Sequence, residues 1–321
     1  DSPAPEDLHI RRTVNAVNPF NWLLTGNRIR KARPDLVIFR FWLPLMGPCF
    51  GTIARLIRKS GHTKVMAIFD NIIPHEKRPG DRLFTRYFIK PVQAFVTMSQ
   101  TVLEDTRQFD TRKPRIISPH PLYDHFGEPV DKKTARQALG LDPGLDYVMF
   151  FGFIRDYKGL DLLLKAFAEP TLNSPSLQLL VAGEFYADEQ VYMELIRTLG
   201  LEKRVVLRNT FIPDDAVNLY FSACDVVVQP YKTATQSGIS QIAYHFNKPM
   251  IVTNVGGLPE IVPHGRTGFV AQRDPADLAE KIADFYRDKR EIPFSRAARE
   301  EKKKYSWETL VNRVVELWNS L

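Results

Sequence analysis

Two short stretches hold residues able to handle a charged phosphate group. In FFGFIRDYKGLDLLL (150–164) an apolar run ends at Gly152, a loop carries Arg155 and Lys158, and Gly159 opens a stretch with helical spacing. In QPYKTATQSGISQIAYHFNKPMIV (229–252) hydroxyl and amide side chains lead to Ser237-Gly238 and another helical stretch. The first N–H groups of a helix lack partners within it, and the dipole leaves roughly half a positive charge there. Gly238 permits close backbone approach, so Ser237 and Gly238 form a phosphate cradle to which Arg155 and Lys158 add cations. Each stretch also has a plainer reading, as solvated loop charges and as an ordinary serine N-cap.

Further loops point the same way. NVGGLPEIV (254–262) puts two glycines where larger side chains would crowd a ligand, with Glu260 read as a local cap or pair. RNTFIPDD (208–215) offers Phe211 and Ile212 to line a flat nucleotide base. The sequence contains no Asp-x-Asp, no His/Cys cluster with metal spacing, no P-loop lysine motif and no Gly-x-Gly-x-x-Gly. The reading therefore includes no metal and no cofactor. Neutralising a departing diphosphate falls to Arg155, Lys158 and the amides at Ser237-Gly238, donors of a kind worth about 10²–10³ in rate each.

Positioning these loops needs a buried sheet. Apolar, β-branched or aromatic runs occur at 147–152, 177–183, 204–208, 225–230 and 249–253, separated by stretches of helical spacing. That alternation predicts βαβ units and a parallel sheet covered on both faces, in which ligands bind at the carboxyl ends of the strands. TGFVAQ follows, then a helix capped by Asp274 and Pro275, and a last helix from about Ser306. The first half has the same texture, with strands expected at 34–41, 63–70 and 94–100 and helices in GTIARLIRKSG and QTVLEDTRQF. No strand is expected in residues 1–33, from which we expect an initial βα unit to be absent from this chain. The proline-rich SPHPLYDHFGEPVDKK (118–133) breaks both periods and reads as an interdomain connection. The expected division is 1–120, a linker at 121–133, a second domain at 134–305 and a C-terminal helix at 306–321.

With 321 residues, two domains of ordinary size are expected. The two cysteines, Cys49 and Cys224, support neither a disulfide framework nor a zinc site, and the reading is cytoplasmic. The longest apolar stretch is interrupted by Arg40, Pro44 and Pro48 and is not read as a membrane span. Residues 1–120 carry 20 Lys and Arg against 10 Asp and Glu, a balance of +10, whereas 121–321 carry 24 against 27, or −3. A basic first half suits an anionic partner and leaves contact with a membrane surface open. No nucleic-acid motif accompanies that charge.

FFGFIRDYKGLDLLLKAF, LQLLVAG, FSACDVVVQPY and SGISQIAYHFNKPMIVTNVGGLPEIVPHGRTGFV, in this order, resemble the C-terminal domain of group-one (family four) glycosyltransferases. The resemblance spans 145–318 and extends weakly to ARQALGLD and the strand order of the first half. It implies an α/β GT-B fold, two Rossmann-like doubly wound parallel-sheet domains facing a cleft. It also implies retaining, metal-independent transfer from a nucleotide-sugar donor to a glycan or lipid-linked acceptor, with an expected place in cell-envelope or polysaccharide synthesis. Lys158 stands at the family's diphosphate-contacting lysine and Gly238 at its phosphate-loop glycine. The family's arginine after Gly152 is Phe153 here, so Arg155 is expected to supply that charge. Its glutamate pair is absent, the counterparts being Ala234 or Thr235 and Ile242 or Ala243. Thr235, Gln236 and Gln241 are then the polar groups expected at the sugar or ribose. In AIFDNIIPHE, Asp70 and His75 are candidates for catalytic contact. Two other readings are a nucleotide-sugar epimerase of the same fold and a degenerate nucleotide-sugar binding protein.

Overall fold

A computed structural model describes residues 8–74, 78–234 and 237–321. The chain divides into two compact units, residues 1–118 with 312–321, and 119–311.

In the first unit the elements are α1 (Pro19–Ala32), β1 (Leu36–Phe41), α2 (Gly47–Arg58), β2 (Lys64–Phe69), α3 (Asp81–Ile89), β3 (Ala94–Thr97), α4 (Gln100–Arg107) and β4 (Arg115–Ile117). The four strands pair in parallel in sequence order, β1-β2-β3-β4. Alternate residues of β1 and β2 (Phe39, Phe41, Val65, Ala67 and Phe69) meet Ile53 and Ile57 of α2 and Phe88 of α3 in one core. Phe41 and Phe88 stack at its centre with ring centroids 4.6 Å apart. Residues 1–33, expected to lack a strand, contain the helix α1, which Asn18 caps by accepting from the N–H groups of Phe20 and Asn21.

The second unit contains α5 (Lys132–Ala138), β5 (Asp146–Phe151), α6 (Leu160–Phe167), β6 (Leu177–Ala182), α7 (Glu189–Thr198), β7 (Val205–Arg208), α8 (Val217–Ala223), β8 (Val226–Gln229), α9 (Gly238–His245), β9 (Met250–Thr253), α10 (Leu258–Ile261), β10 (Gly268–Ala271), α11 (Pro275–Arg287) and α12 (Glu291–Glu301). A last helix, α13 (Trp307–Asn319), begins here and ends in the residues assigned to the first unit. The sheet is parallel with order β10-β9-β8-β5-β6-β7. Along β5, Tyr147, Met149 and Phe151 enter one core while Val148 and Phe150 enter the other. Burial on both faces explains why this strand reads as an unbroken apolar run instead of an alternating one.

The order of strands fixes where a ligand belongs. From β5 the chain steps outward through β6 to β7, then returns to the other side of β5 for β8, β9 and β10. The reversal lies between β5 and β8, and a crevice opens at such a point beyond the carboxyl ends of the strands. The loops leaving these two strands are the ones carrying Lys158 and Ser237. The segment read as a linker at 121–133 packs on the second unit: the Leu122 N–H donates to the Tyr305 carbonyl and the Val130 N–H to Ser222 Oγ.

Candidate functional site

A glycine lets the β5 and β8 loops close on each other. Gly159 has φ +70°, and a Cβ there would lie 2.0 Å from the carbonyl oxygen of Pro230. Nothing larger than glycine fits both that conformation and that approach. The Lys232 N–H donates to the Tyr157 carbonyl at 2.7 Å, and the Lys232 ammonium pairs with Asp156 and Asp161. The short helical turn Asp156–Lys158 is thereby clamped between two strand ends, and Lys158 points inward with 9% of its surface exposed.

Lys158 Nζ lies 3.1 Å from the position a Gly152 Cβ would take, and Ile239 Cδ1 of α9 lies 3.2 Å from that same point. A side chain at 152 would fill the space shared by the lysine and the first turn of α9. The Tyr231 ring lies 5.9 Å from the ammonium, and its hydroxyl is 3.2 Å from Ser237 Oγ. Lys158 has no hydrogen bond or ion pair among the described residues. Desolvation, then the nearby charge of Arg155, push its pKa from 10.5 down to about 8. A buried cation without a counter-ion is costly to the fold and suits a site completed by an anion.

The start of α9 is equally prepared. Ser237 caps it, its Oγ accepting from the Ile239 N–H and its carbonyl from the Ser240 N–H. The Gly238 N–H has no partner among the described residues. Tyr123 covers Gly238, its ring 3.0 Å from where a Cβ would be, and its hydroxyl lies 3.2 Å from His120 Nε2.

Around Gly152 and Lys158 opens a cavity of about 200 Å3. Phe211 and Ile212 line it as the sequence suggested, and the Phe211 ring is well exposed. Some contributors were not anticipated. Phe126 comes from the segment read as a linker, and Glu184 and Asp214 add two carboxylates to the wall. Glu184 lies two residues past the end of β6 and Asp214 opens a helical turn, the signals that could have found them. Arg155 is exposed and does not line this cavity; its guanidinium leans on the Tyr186 ring at 5.0 Å. Tyr186 and Phe153 meet edge to face with centroids 4.7 Å apart.

The remaining candidates are dispersed. Gln241 is fully buried on α9, and neither end of its amide finds a hydrogen-bond partner among the described residues. Asp70, in the first unit just past β2, accepts two hydrogen bonds from the Arg40 guanidinium at 2.8 and 3.1 Å. His75, Thr235 and Gln236 lie outside the described residues. Of the positions to which the family resemblance assigns glutamates, Ala234, Ile242 and Ala243 are buried in the apolar core and Thr235 lies outside the described residues.

Residues 146–288 match the family of glycosyl transferases group 1. A D-inositol 3-phosphate glycosyltransferase of Corynebacterium urealyticum is 24% identical over 311 residues, which cover 89% of this chain and 72% of that protein. One from Rhodococcus erythropolis is 35% identical over 150 residues, 45% of this chain and 34% of the relative. The chain thus spans about a third of the second relative's length. Among solved structures, HepE of Anabaena in complex with UDP superposes with a TM-score of 0.77 at 21% identity, covering 93% of this chain and 82% of HepE. That likeness shows the GT-B fold. The family match falls on the unit that holds the Lys158 cavity, and it is residues 146–288 of this chain that are similar to the group 1 glycosyltransferases.

Proposed function

We propose that the protein transfers a sugar from a nucleoside diphosphate sugar to an acceptor, and that the donor diphosphate lies between Lys158 and the first turn of α9. The observation that carries this reading is the Lys158 ammonium, unpaired among the described residues and buried at the strand-order reversal near the Gly238 N–H that opens α9. Lys158, Ser237 and Gly238 hold the diphosphate, and Arg155 swings from Tyr186 to join them. Phe211 and Ile212 take the base, while Thr235 and Gln236 face the sugar or ribose, which Gln241, fully buried and outside the cavity lining, reaches only if the start of α9 shifts. HepE was solved with UDP, which makes uridine the first base to test. Asp70 and His75 are proposed to contact the reacting sugar.

The departing diphosphate gains its stabilisation from side-chain cations and backbone amides, so the reading is metal-independent, in keeping with a sequence that has no Asp-x-Asp. Retention follows from front-face attack, with the leaving phosphate taking the acceptor's proton. The basic first half, at +10, favours an anionic acceptor of cell-envelope or polysaccharide synthesis, glycan or lipid-linked, with a membrane surface as a further contact.

A thermal-shift panel of UDP-, GDP-, dTDP- and ADP-sugars tests the proposal. One nucleotide class should raise the melting temperature of the wild type and not that of Lys158→Ala, whose affinity should fall at least about tenfold. Equal affinity in the variant removes Lys158 from the site. The apolar Ala234 and Ile242 favour a second reading, a nucleotide-sugar binding protein without turnover. Tight binding without nucleotide release in the presence of a range of glycan acceptors would select it.

A further inference from the structure

In the first unit a cavity of about 300 Å3 lies at the amino end of α3. Its apolar wall is formed by Ile72, Pro74 and Phe109, and its polar side by Arg78, Asp81, Arg82 and Thr85. Neither guanidinium has a hydrogen bond or ion pair among the described residues. The one carboxylate among the described lining residues is engaged locally, Asp81 Oδ2 accepting from the Arg78 N–H at 2.7 Å. Thr85 is fully buried, and its hydroxyl has no hydrogen-bond partner among the described residues. A buried hydroxyl without a partner costs stability, and one lining a cavity can recover that cost from a ligand oxygen. Two guanidiniums unpaired among the described residues, the positive end of a nine-residue helix and an unpartnered hydroxyl are a donor set for an oxyanion with several acceptor oxygens. The uncharged wall requires that the anion be attached to something less polar than itself.

We propose that this cavity binds the phosphate group of a phosphate ester, and that the ester is the acceptor. The second clause rests on the function proposed above; the first stands without it. Arg78 and Arg82 grip the phosphate, Thr85 donates to one of its oxygens, and the body of the ester lies along Ile72, Pro74 and Phe109. The same chemistry could arrive as a sugar phosphate or as a lipid-linked phosphate, which differ in what covers the apolar wall.

Titration calorimetry on the full chain at low salt separates these cases, with inorganic phosphate, glucose 1-phosphate and farnesyl phosphate as probes and glucose and farnesol as controls. Phosphate-bearing probes should bind and the controls should not. A preference for farnesyl phosphate identifies a lipid-linked source, and a preference for glucose 1-phosphate a soluble one. Arg78→Ala/Arg82→Ala should weaken binding by at least about tenfold while leaving nucleotide-sugar affinity intact. Thr85→Val should weaken it with no loss of melting temperature. Lys158→Ala should bind the probes as the wild type does. Absence of phosphate binding, wild-type affinity in the double arginine variant, or loss of binding in Lys158→Ala overturns the proposal. Failure of every nucleotide sugar to bind would refute the donor reading alone.

Discussion

Replacing Lys158 by methionine separates what this residue does for the fold from what it does for a ligand. The side chain keeps its length and loses its charge. Burial and the charge of Arg155 bring the pKa from 10.5 to about 8, and at about 1.4 kcal/mol per tenfold change in proton affinity the folded chain disfavours the ammonium by roughly 3 kcal/mol. Between pH 8 and 10.5 the unfolded chain holds a proton that the folded chain has released, so stability rises with pH across that window. Below pH 8 the cost is fully present. Lys158→Met should therefore be more stable than the wild type at pH 7, by at most about 3 kcal/mol, or roughly 2–4 °C in melting temperature for each kcal/mol in a unit of this size. The advantage should shrink as pH climbs from 8 towards 10.5. Nucleotide diphosphate affinity should move oppositely, falling in the wild type as pH rises through 8 and lying low and flat in the variant. Denaturant melts and calorimetry at pH 7, 8.5 and 10 read both. A variant that is less stable at pH 7, or that binds nucleotide as well as the wild type, refutes the assignment of Lys158 as a cation waiting for an anion.

The other expectations are narrower. Gly159→Ala drives a Cβ into the Pro230 carbonyl and occupies a positive-φ position, so it should cost about 2 kcal/mol or more by denaturant titration and weaken nucleotide binding in step. Gln241→Met removes two unpartnered buried amide atoms and should stabilise the ligand-free protein by about 1 kcal/mol; a loss of stability would show that the amide is satisfied in solution. Arg155→Ala should lower nucleotide affinity severalfold. Adding Phe153→Arg to it, which restores a guanidinium at the cavity wall, should recover most of the loss, and no recovery would dismiss Arg155 as a substitute for the family's arginine.

The second sheet was legible because its strands are buried on both faces and stand between helices of regular period. Its expected strands match β5 to β9 within a residue or two. Gly152 after β5 and Ser237 before α9 stood out in the sequence as candidates, since their types are set by backbone approach and capping, both local effects. What local pattern could not supply was the partner across the gap. Nothing in YKGL says that Gly159 must admit the Pro230 carbonyl, and nothing in HFGEP says that Phe126 turns back to line the cavity. The prolines of that segment break helix and strand periodicity, which reads as a free connection. Its hydrogen bonds to Tyr305 and Ser222 tie it down from far along the chain. Helix α1 was passed over for a related reason, since it is basic and largely exposed and its apolar period is faint, whereas α3 is amphipathic but only nine residues long.

The way Lys158 is held bears on how the site keeps its charge. A lysine gripped by a carboxylate would be correctly placed but already neutralised, and a ligand would have to compete for it. Here the carboxylates nearest in sequence, Asp156 and Asp161, are both taken by Lys232 of the opposite loop. Position comes instead from the backbone, through the Gly159–Pro230 approach and the Lys232–Tyr157 hydrogen bond. The same contacts that close the two loops on each other thus divert the local acids and leave the Lys158 ammonium bare. This is preorganisation in its electrostatic sense: desolvation of the ammonium is borne at folding, which is the condition the proposed diphosphate site requires. Ala234 and Ile242, among the positions to which the family resemblance assigns its glutamate pair, are buried in the apolar core, and the acids that line the cavity among the described residues are Glu184 and Asp214.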